Sequence, residues 1–212
     1  MDKKGDVLVK IYDISQEVFS CQVFSGDPVP KKTQILSIEK GDVCNLTEFS
    51  MCAHNGTHID APYHFINGGK SVDKLSPESL VGPCFVAIHS GVVSGDDAKK
   101  IIEKARALDS ECAKRILLKG DLEVSLDASQ VFAKEGILLL GNESQTVGPK
   151  NAPMEVHLEL LGKEIVLLEG IRLGEIDEGK YFLNAMPLNL GGADGAPCRA
   201  ILIDFEGEEN DG

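Results

Sequence analysis

The chain has 212 residues, of which 42% are hydrophobic, and its 21 basic and 34 acidic residues give a formal net charge of −13. This length and apolar content suffice for the core of one domain, and the negative charge opposes binding to a nucleic-acid backbone or to an anionic membrane. No segment reaches the roughly 20 apolar residues that cross a bilayer, and the N-terminus lacks the apolar stretch of a signal peptide, so we expect a cytoplasmic protein.

Short runs of valine, isoleucine and leucine between glycine, proline or aspartate predict buried strands. These runs are Val7–Ile11, Phe85–His89, Ile116–Leu118, Ile137–Leu140, Ile165–Leu168, Phe182–Met186 and Ala200–Phe205. Helical patterns lie between them, at Asp96–Ala107, Asp127–Lys134 and Pro153–Leu161. Because strands and helices alternate only in the middle of the chain, we predict an α/β protein with a mixed β-sheet core surrounded by helices.

The segment from Phe24 to Pro30 contains two prolines and a glycine, which interrupt both helices and strands. We therefore predict an N-terminal arm or loop near residues 20–32. At the other end, the acidic residues 208–212 are expected to fray, which leaves one domain over residues 1–207.

The six cysteines, at positions 21, 44, 52, 84, 112 and 198, form no C-x-x-C pair. Neither a zinc ribbon nor a disulfide framework is indicated, so we expect reduced, mostly buried thiols. Cys52 lies two residues before a histidine, but a thiolate ligand there has no support from spacing, and Cys52 is left out of the candidate site.

Three of the five histidines fall in one short segment, which reads His54-Asn-Gly-Thr-His58-Ile-Asp60-Ala-Pro-Tyr-His64-Phe65. Imidazoles with an adjacent carboxylate suit zinc, manganese or iron. A lone histidine is more often a satisfied core or surface residue, and this applies to His89 at the end of a predicted strand. The clustered histidines instead indicate a metal site.

Two local structures would bring these side chains together. In an extended strand, residues of one parity share a face, and His54, His58, Asp60 and His64 all have even numbers. Alternatively, Asp60 caps a short helix that begins at Ala61-Pro62 and carries His64 back over the site. Gly56 and Pro62 argue against one continuous helix.

The histidine segment, H-x-G-T-H-x-D-A-P-x-H-F, closely resembles the signature of the cyclase family of metal-dependent hydrolases, which includes bacterial kynurenine formamidases. The resemblance continues through residues 68–73 and 80–83, then through 168–173 and 193–200, and is weakest between about 92 and 135. It implies the swivelling β/β/α architecture of that family, with a mixed sheet surrounded by helices, and assembly into a homodimer or homotetramer.

The resemblance also implies roles for particular residues. His54, His58 and Asp60 would hold one divalent ion, Asp60 would bridge to a second, and His64 would be the catalytic acid or base. His157 and Glu169 would hold the second ion. From the sequence alone His157 fits equally well as a polar residue on the solvent side of a helix, and Glu169 as an ordinary strand exit.

The cofactor implied is one or two divalent ions, with zinc expected first and manganese second, although histidine and carboxylate ligands accept several metals. The activity implied is hydrolysis of a carbon–nitrogen bond in an amide or formamide of a small molecule, through water made acidic by the metal. His64 would transfer the proton to the departing amine.

Two departures from the family pattern concern the substrate. Phe24 stands where kynurenine formamidases tend to carry a tryptophan, and this chain has no tryptophan. Phe24 is thus predicted as a smaller aromatic wall for the substrate, which weakens the case for N-formylkynurenine itself. Glu143 lies in a stretch where relatives differ, and its role does not follow from the sequence.

Three alternatives remain open at this stage. The same site could open a lactone or a cyclic amide such as isatin, or act as another cyclase or dehydratase. It could anchor a small acid without turnover. It could also be a structural zinc site, although a chain of this size does not need a metal in order to fold.

Overall fold

The fold is organised around one large mixed sheet, seen in a computed structural model that describes residues 8–206. The strands of this range are β1 (Leu8–Asp13), β2 (Lys31–Leu36), β3 (Leu46–Ser50), β4 (His58–Asp60), β5 (Val81–Ile88), β6 (Gly91–Val93), β7 (Arg115–Lys119), β8 (Leu122–Val124), β9 (Leu139–Asn142), β10 (Val166–Glu169), β11 (Gly179–Asn184), β12 (Gly195–Pro197) and β13 (Ile201–Glu206). Its α-helices are α1 (Pro77–Leu80), α2 (Gly95–Leu108), α3 (Leu126–Glu135) and α4 (Met154–Leu161). Val7 and the predicted tail at 208–212 lie outside the described residues.

The sheet runs in the order β1-β13-β11-β5-β7-β9-β10-β4-β12. Strands β5, β7, β9 and β10 are parallel, and antiparallel strands flank them on both sides. The predicted α/β fold with a mixed sheet and surrounding helices is therefore confirmed.

Hydrophobic residues cover both faces of the parallel strands, as expected for strands buried between two layers. In β5 and β7, for example, Phe85 and Ile116 pack in one core cluster with α2, α3 and α4, whereas Val86 and Leu117 pack in a second cluster on the opposite face. The curled sheet thus has helices on one face and its own antiparallel strands and loops around the other.

Each of the seven predicted strands overlaps an observed strand, but several ends differ. The predicted strand Phe182–Met186 is observed as Gly179–Asn184, because pairing with β5 and β13 sets the ends of β11. The short strands β6, β8 and β12 were not predicted, since three residues carry too little periodicity to be recognised.

Between β1 and β4, the chain adds no strand to the main sheet. The segment from Phe24 to Pro30 contains no helix or strand, as predicted, but β2 begins at Lys31, inside the predicted loop region. Strands β2 and β3 pair only with each other as an antiparallel hairpin, and nearly all of their residues are exposed.

In the described range, no helix is long and apolar enough to span a bilayer.

Candidate metal centre

The histidine segment forms strand β4 followed by one turn of 3-10 helix, Pro62–His64. His58 and Asp60 are two residues apart in a strand and therefore point to the same face. The first predicted geometry, an extended strand, therefore applies to His58 and Asp60. The second is wrong in one respect: the turn is capped by Ala61, and the carboxylate of Asp60 faces the histidines instead.

Strand β10 adds Glu169 to the same face of the sheet. It pairs with β4 in antiparallel register, with Glu169 opposite His58 and Leu167 opposite Asp60. Directly opposed residues share a face, so the carboxylate of Glu169 meets the imidazole of His58, with Oε2 3.5 Å from Nε2. Both residues are almost completely buried.

Helix α4 brings His157 to this face. Val156, Leu160 and Leu161 of α4 pack in the core cluster on the helix-covered side of the sheet. Nε2 of His157 lies 3.2 Å from Oε1 of Glu169 and 3.8 Å from Oδ2 of Asp60, and Nδ1 bonds the carbonyl of Pro153. His157 is only 3% exposed, so the alternative of a solvent-facing polar residue is wrong.

His54 and His64 close the cluster on its more accessible side. Nδ1 of His54 lies 2.8 Å from Oδ1 of Asp60, and Nε2 of His64 lies 4.0 Å from Oδ2 of the same carboxylate. The side chains of His54 and His64 are 13% and 27% exposed, compared with 1% for Asp60. Solvent therefore reaches the cluster past His64.

The structure places six of the seven predicted site residues together. Potential ligand atoms of five of them form two groups that share Asp60, and His157 is in neither: His58 with Asp60 and Glu169, and His54 with Asp60 and His64. Within each group, the atoms lie within 4.8 Å of one another. This grouping differs from the predicted one, because the ring of His54 lies closer to that of His64 than to that of His58, with centroids 4.0 Å and 5.2 Å apart.

The cluster contains two buried carboxylates, Asp60 and Glu169. Within residues 8–206, the ion-pair partners that the structure gives Asp60 and Glu169 are all histidines. Burial alone would raise the pKa of Asp60, but hydrogen bonds from His54 and His58 hold it well below its usual value. Burial alone would lower the pKa of His58, but Asp60 and Glu169 raise it to about 10.

These pKa shifts mean that the two carboxylates stabilise positive charge among the imidazoles. A buried ionised pair of carboxylates is costly unless cations neutralise it, and protons on the histidines or a divalent ion can do so. Imidazole and carboxylate are the preferred donors for zinc and related divalent ions. The residues present therefore fit a divalent metal.

Asp194 is a site residue that the sequence analysis did not identify. Its Oδ2 lies 2.9 Å from Nε2 of His54 and 3.1 Å from Nδ1 of His64. Asp194 stands before Gly195 and Pro197, and a turn that contains these residue types before a strand indicates no functional role by itself. The available signal was its place within the family-like residues 193–200.

The remaining residues singled out earlier lie apart from the cluster. Phe24 lines a cavity of about 820 Å³ together with Gln145 and Arg172, and none of the six clustered residues lines it. Glu143, on the same cavity, accepts hydrogen bonds from the backbone N–H groups of Gly120 and Leu173. His89 bonds the carbonyl of Val92, as expected for a residue without a site role.

The cysteines are all free, in agreement with the prediction of reduced thiols. The expectation that they are mostly buried is wrong, because only Cys84 and Cys112 are buried. The other four cysteines lie outside the helices and strands, where fewer core side chains pack against them. Sγ of Cys52 lies 3.9 Å from Oδ2 of Asp27 and takes no part in the cluster.

Comparison with known proteins places the chain among similar sequences. The family described as putative cyclase matches residues 12–148. The kynurenine formamidase of Erythrobacter litoralis is 30% identical over 210 residues, covering 92% of this chain and 94% of the relative. The kynurenine formamidase of Geobacillus thermodenitrificans is 34% identical over 206 residues, covering 90% and 95%.

Solved structures give the same fold. A predicted metal-dependent hydrolase from Bacillus stearothermophilus is 28% identical with a TM-score of 0.75, covering 93% of this chain and 99% of that chain. Isatin hydrolase A from Labrenzia aggregata has a TM-score of 0.79 at 20% identity, covering 93% and 94%, and at that identity the likeness concerns the fold alone.

Proposed function

We propose that this chain, which belongs to the putative cyclase family, is a metal-dependent hydrolase that cleaves a carbon–nitrogen bond in an amide or formamide. The observation that carries this proposal is the buried pair of carboxylates, Asp60 and Glu169, whose ion-pair partners in the described chain are all histidines. The similar kynurenine formamidases act on such a bond, as their name states, and they align with nearly the whole chain.

The residues that would hold the metal are His54, His58 and Asp60 for one ion, and Asp60, His157 and Glu169 for a second. The chemistry that a divalent ion supplies there is Lewis acidity, which makes water a stronger acid and neutralises charge that develops on oxygen. Second partners orient the imidazoles: Nδ1 of His58 bonds the carbonyl of Gly56, and Nδ1 of His157 bonds that of Pro153. We expect zinc as the native ion, with manganese as the alternative.

His64 is proposed as the acid and base of the reaction. It lies on the solvent side of the cluster, and its Nε2 faces the carboxylate of Asp60 at 4.0 Å. In the hydrolysis, a water oxygen bonds to the carbonyl carbon and gives up a proton, and the carbon–nitrogen bond then breaks. His64 takes the water proton and returns it to the departing nitrogen, so that an acid and an amine leave.

The substrate class proposed is an aryl formamide, in line with the kynurenine formamidase relatives. Phe24 would provide an aromatic surface, but it lines a cavity apart from the cluster in its own chain. A cyclic amide or lactone is the second candidate, because the isatin hydrolases share this fold at high coverage. Phe24 offers a smaller ring than tryptophan, which favours a compact substrate.

We also propose that the protein is a homodimer or homotetramer. The hairpin of β2 and β3 exposes Ile35, Leu46 and Phe49 by 48%, 49% and 54%, although a hairpin by itself is marginally stable. Exposed apolar side chains on a hairpin are surface that a second copy of the chain would cover. The free cysteines agree with the cytoplasmic location that we propose.

Elemental analysis of the purified protein, paired with a hydrolysis screen of aryl formamides, cyclic amides and lactones, tests the proposal. We expect about one or two equivalents of a divalent ion and turnover of an aryl formamide. Metal-loaded protein that hydrolyses no member of the panel but binds a small carboxylic acid tightly would instead support the role of a metal-anchored binding protein.

A further inference from the structure

One carboxylate oxygen holds the two accessible imidazoles of the cluster. Oδ2 of Asp194 lies 2.9 Å from Nε2 of His54 and 3.1 Å from Nδ1 of His64, and the rings of these histidines are 4.0 Å apart between centroids. The Asp194 side chain is 43% exposed, so it stands between the cluster and solvent. None of the predicted ligand sets includes Asp194.

The backbone places Asp194 firmly relative to His64. The carbonyl of Asp194 accepts a hydrogen bond from the N–H of Ala61 at 2.9 Å, and Ala61 caps the 3-10 turn that ends at His64. The next residue, Gly195, begins β12 and pairs with Asp60. Asp194 therefore contacts both ends of the turn, through its backbone at the start and through its carboxylate at His64.

An ionised carboxylate only accepts hydrogen bonds, so each imidazole nitrogen that faces it must carry a hydrogen. An aspartate is ordinarily ionised at neutral pH, so both imidazole nitrogens that face Oδ2 of Asp194 are donors. For His64, the hydrogen then sits on Nδ1. Its Nε2 is left as the nitrogen that faces Asp60 and the cluster.

We propose that Asp194 is a positioning residue that holds His64 in its Nδ1–H tautomer, with the Nε2 lone pair directed toward the metal centre. The same oxygen accepts from Nε2 of His54, whose Nδ1 lies 2.8 Å from Oδ1 of Asp60. A histidine that binds a metal commonly donates its other N–H to a carboxylate, and this arrangement fixes ring orientation. This inference rests on the proposed function only in assigning proton transfer to Nε2 of His64.

The test combines histidine tautomers with kinetics in zinc-loaded protein. Long-range ¹H–¹⁵N spectra distinguish the two tautomers, and His64→Ala identifies the signals of His64. We expect the Nδ1–H form of His64 in the parent and a shift to the Nε2–H form in Asp194→Ala. With an aryl formamide under saturating zinc, kcat should fall about 10- to 100-fold in Asp194→Ala, with KM near the parent value.

Asp13→Asn is the matched control. Asp13 has nearly the same side-chain exposure, 42%, and is also paired, with Arg199. We expect it to leave the tautomer and kcat unchanged. Asp194→Asn keeps one acceptor atom without the charge, and should retain part of the Nδ1–H population and part of the activity.

An unchanged Nδ1–H signal in Asp194→Ala overturns the inference, whether or not zinc content or activity falls. If the parent hydrolyses nothing in the panel, the proposed function fails by itself, and the tautomer spectra still decide the role of Asp194. A raised KM with unchanged kcat would also overturn the inference, because that pattern indicates that Asp194 contributes to substrate binding and not to the orientation of His64.

Discussion

His58 and Glu169 face each other across the antiparallel pair of β4 and β10, with Nε2 and Oε2 3.5 Å apart. This pairing joins the histidine segment to a distant strand and leaves both side chains buried on the helix-covered face. Because Asp60 lies two residues further along β4, it reaches the same space.

Asp60→Asn and His64→Ala should separate metal binding from proton transfer. Asp60 belongs to both groups of potential ligands, so its replacement by a neutral amide should abolish retention of the metal and, with it, turnover. His64→Ala should keep the metal while kcat falls about 10²- to 10⁴-fold, the range typical of a general acid or base. Metal content by elemental analysis and kcat on the same preparations are the measurements. Equal metal loss in both variants would contradict this division of roles.

Gly195→Ala should disturb the site without removing any predicted ligand. A Cβ at this position would lie 2.6 Å from Cε1 of His54 and 2.7 Å from the carbonyl of Ile59. His54 must move, and we expect weaker zinc binding together with a loss of about 1–3 kcal/mol in the free energy of unfolding. Gly191→Ala is the control, because a Cβ there meets nothing within 4 Å. Zinc titration and urea unfolding compare the two variants, and identical behaviour would show that the close approach to His54 has no consequence.

Removal of the metal should abolish activity but leave the protein folded. Two hydrophobic clusters on either side of the sheet hold the fold together without the metal. We expect the chelated protein to keep its circular dichroism spectrum but to unfold at a lower urea concentration. Its free energy of unfolding should be about 2.7 kcal/mol lower than that of protein at a metal concentration of 100 times Kd. Unfolding on chelation would indicate a structural metal site instead.

Charges on the hairpin should reduce the oligomeric state. Leu46→Lys combined with Phe49→Lys places one cation on each face of β3, at exposed apolar positions that contact with a second copy would bury. We expect a shift to monomer in sedimentation or light scattering. Val92→Lys, at a residue that is 62% exposed outside the hairpin, should leave the parent assembly unchanged. Retention of the parent mass in the hairpin variant would exclude β3 from the interface.

Substitutions of Phe24 test its predicted contact with the substrate. If the ring packs against an aryl formamide, Phe24→Ala should raise KM roughly 2- to 10-fold, as expected from the loss of about 0.5–1.5 kcal/mol of aromatic contact. Phe24→Trp should lower KM for substrates with a larger ring. Steady-state kinetics with a small and a large aryl formamide provide the comparison, and unchanged KM in both variants would assign Phe24 to the cavity wall alone.

Much of the centre could be predicted from the sequence because its chemistry is local. His54, His58, Asp60 and His64 stand in one short segment, and strand parity places two of them on one face. Hydrophobic runs likewise predicted the principal strands and helices, since long buried elements carry clear periodicity. The residue types alone indicated a divalent metal.

Other features depended on tertiary structure. Whether His157 faces solvent or Asp60 depends on how α4 packs against the sheet, and the exposed fraction of an amphipathic helix residue cannot be read from its own segment. The position of Asp194 beside His54 and His64 follows from the pairing of β12 with β4, a contact between parts of the chain that are distant in sequence. The sequence by itself determined the donor atoms and the alternation of elements, because both depend on residue type and local spacing. Only the tertiary structure decided which donors share one buried face, because the register of non-local strands sets that.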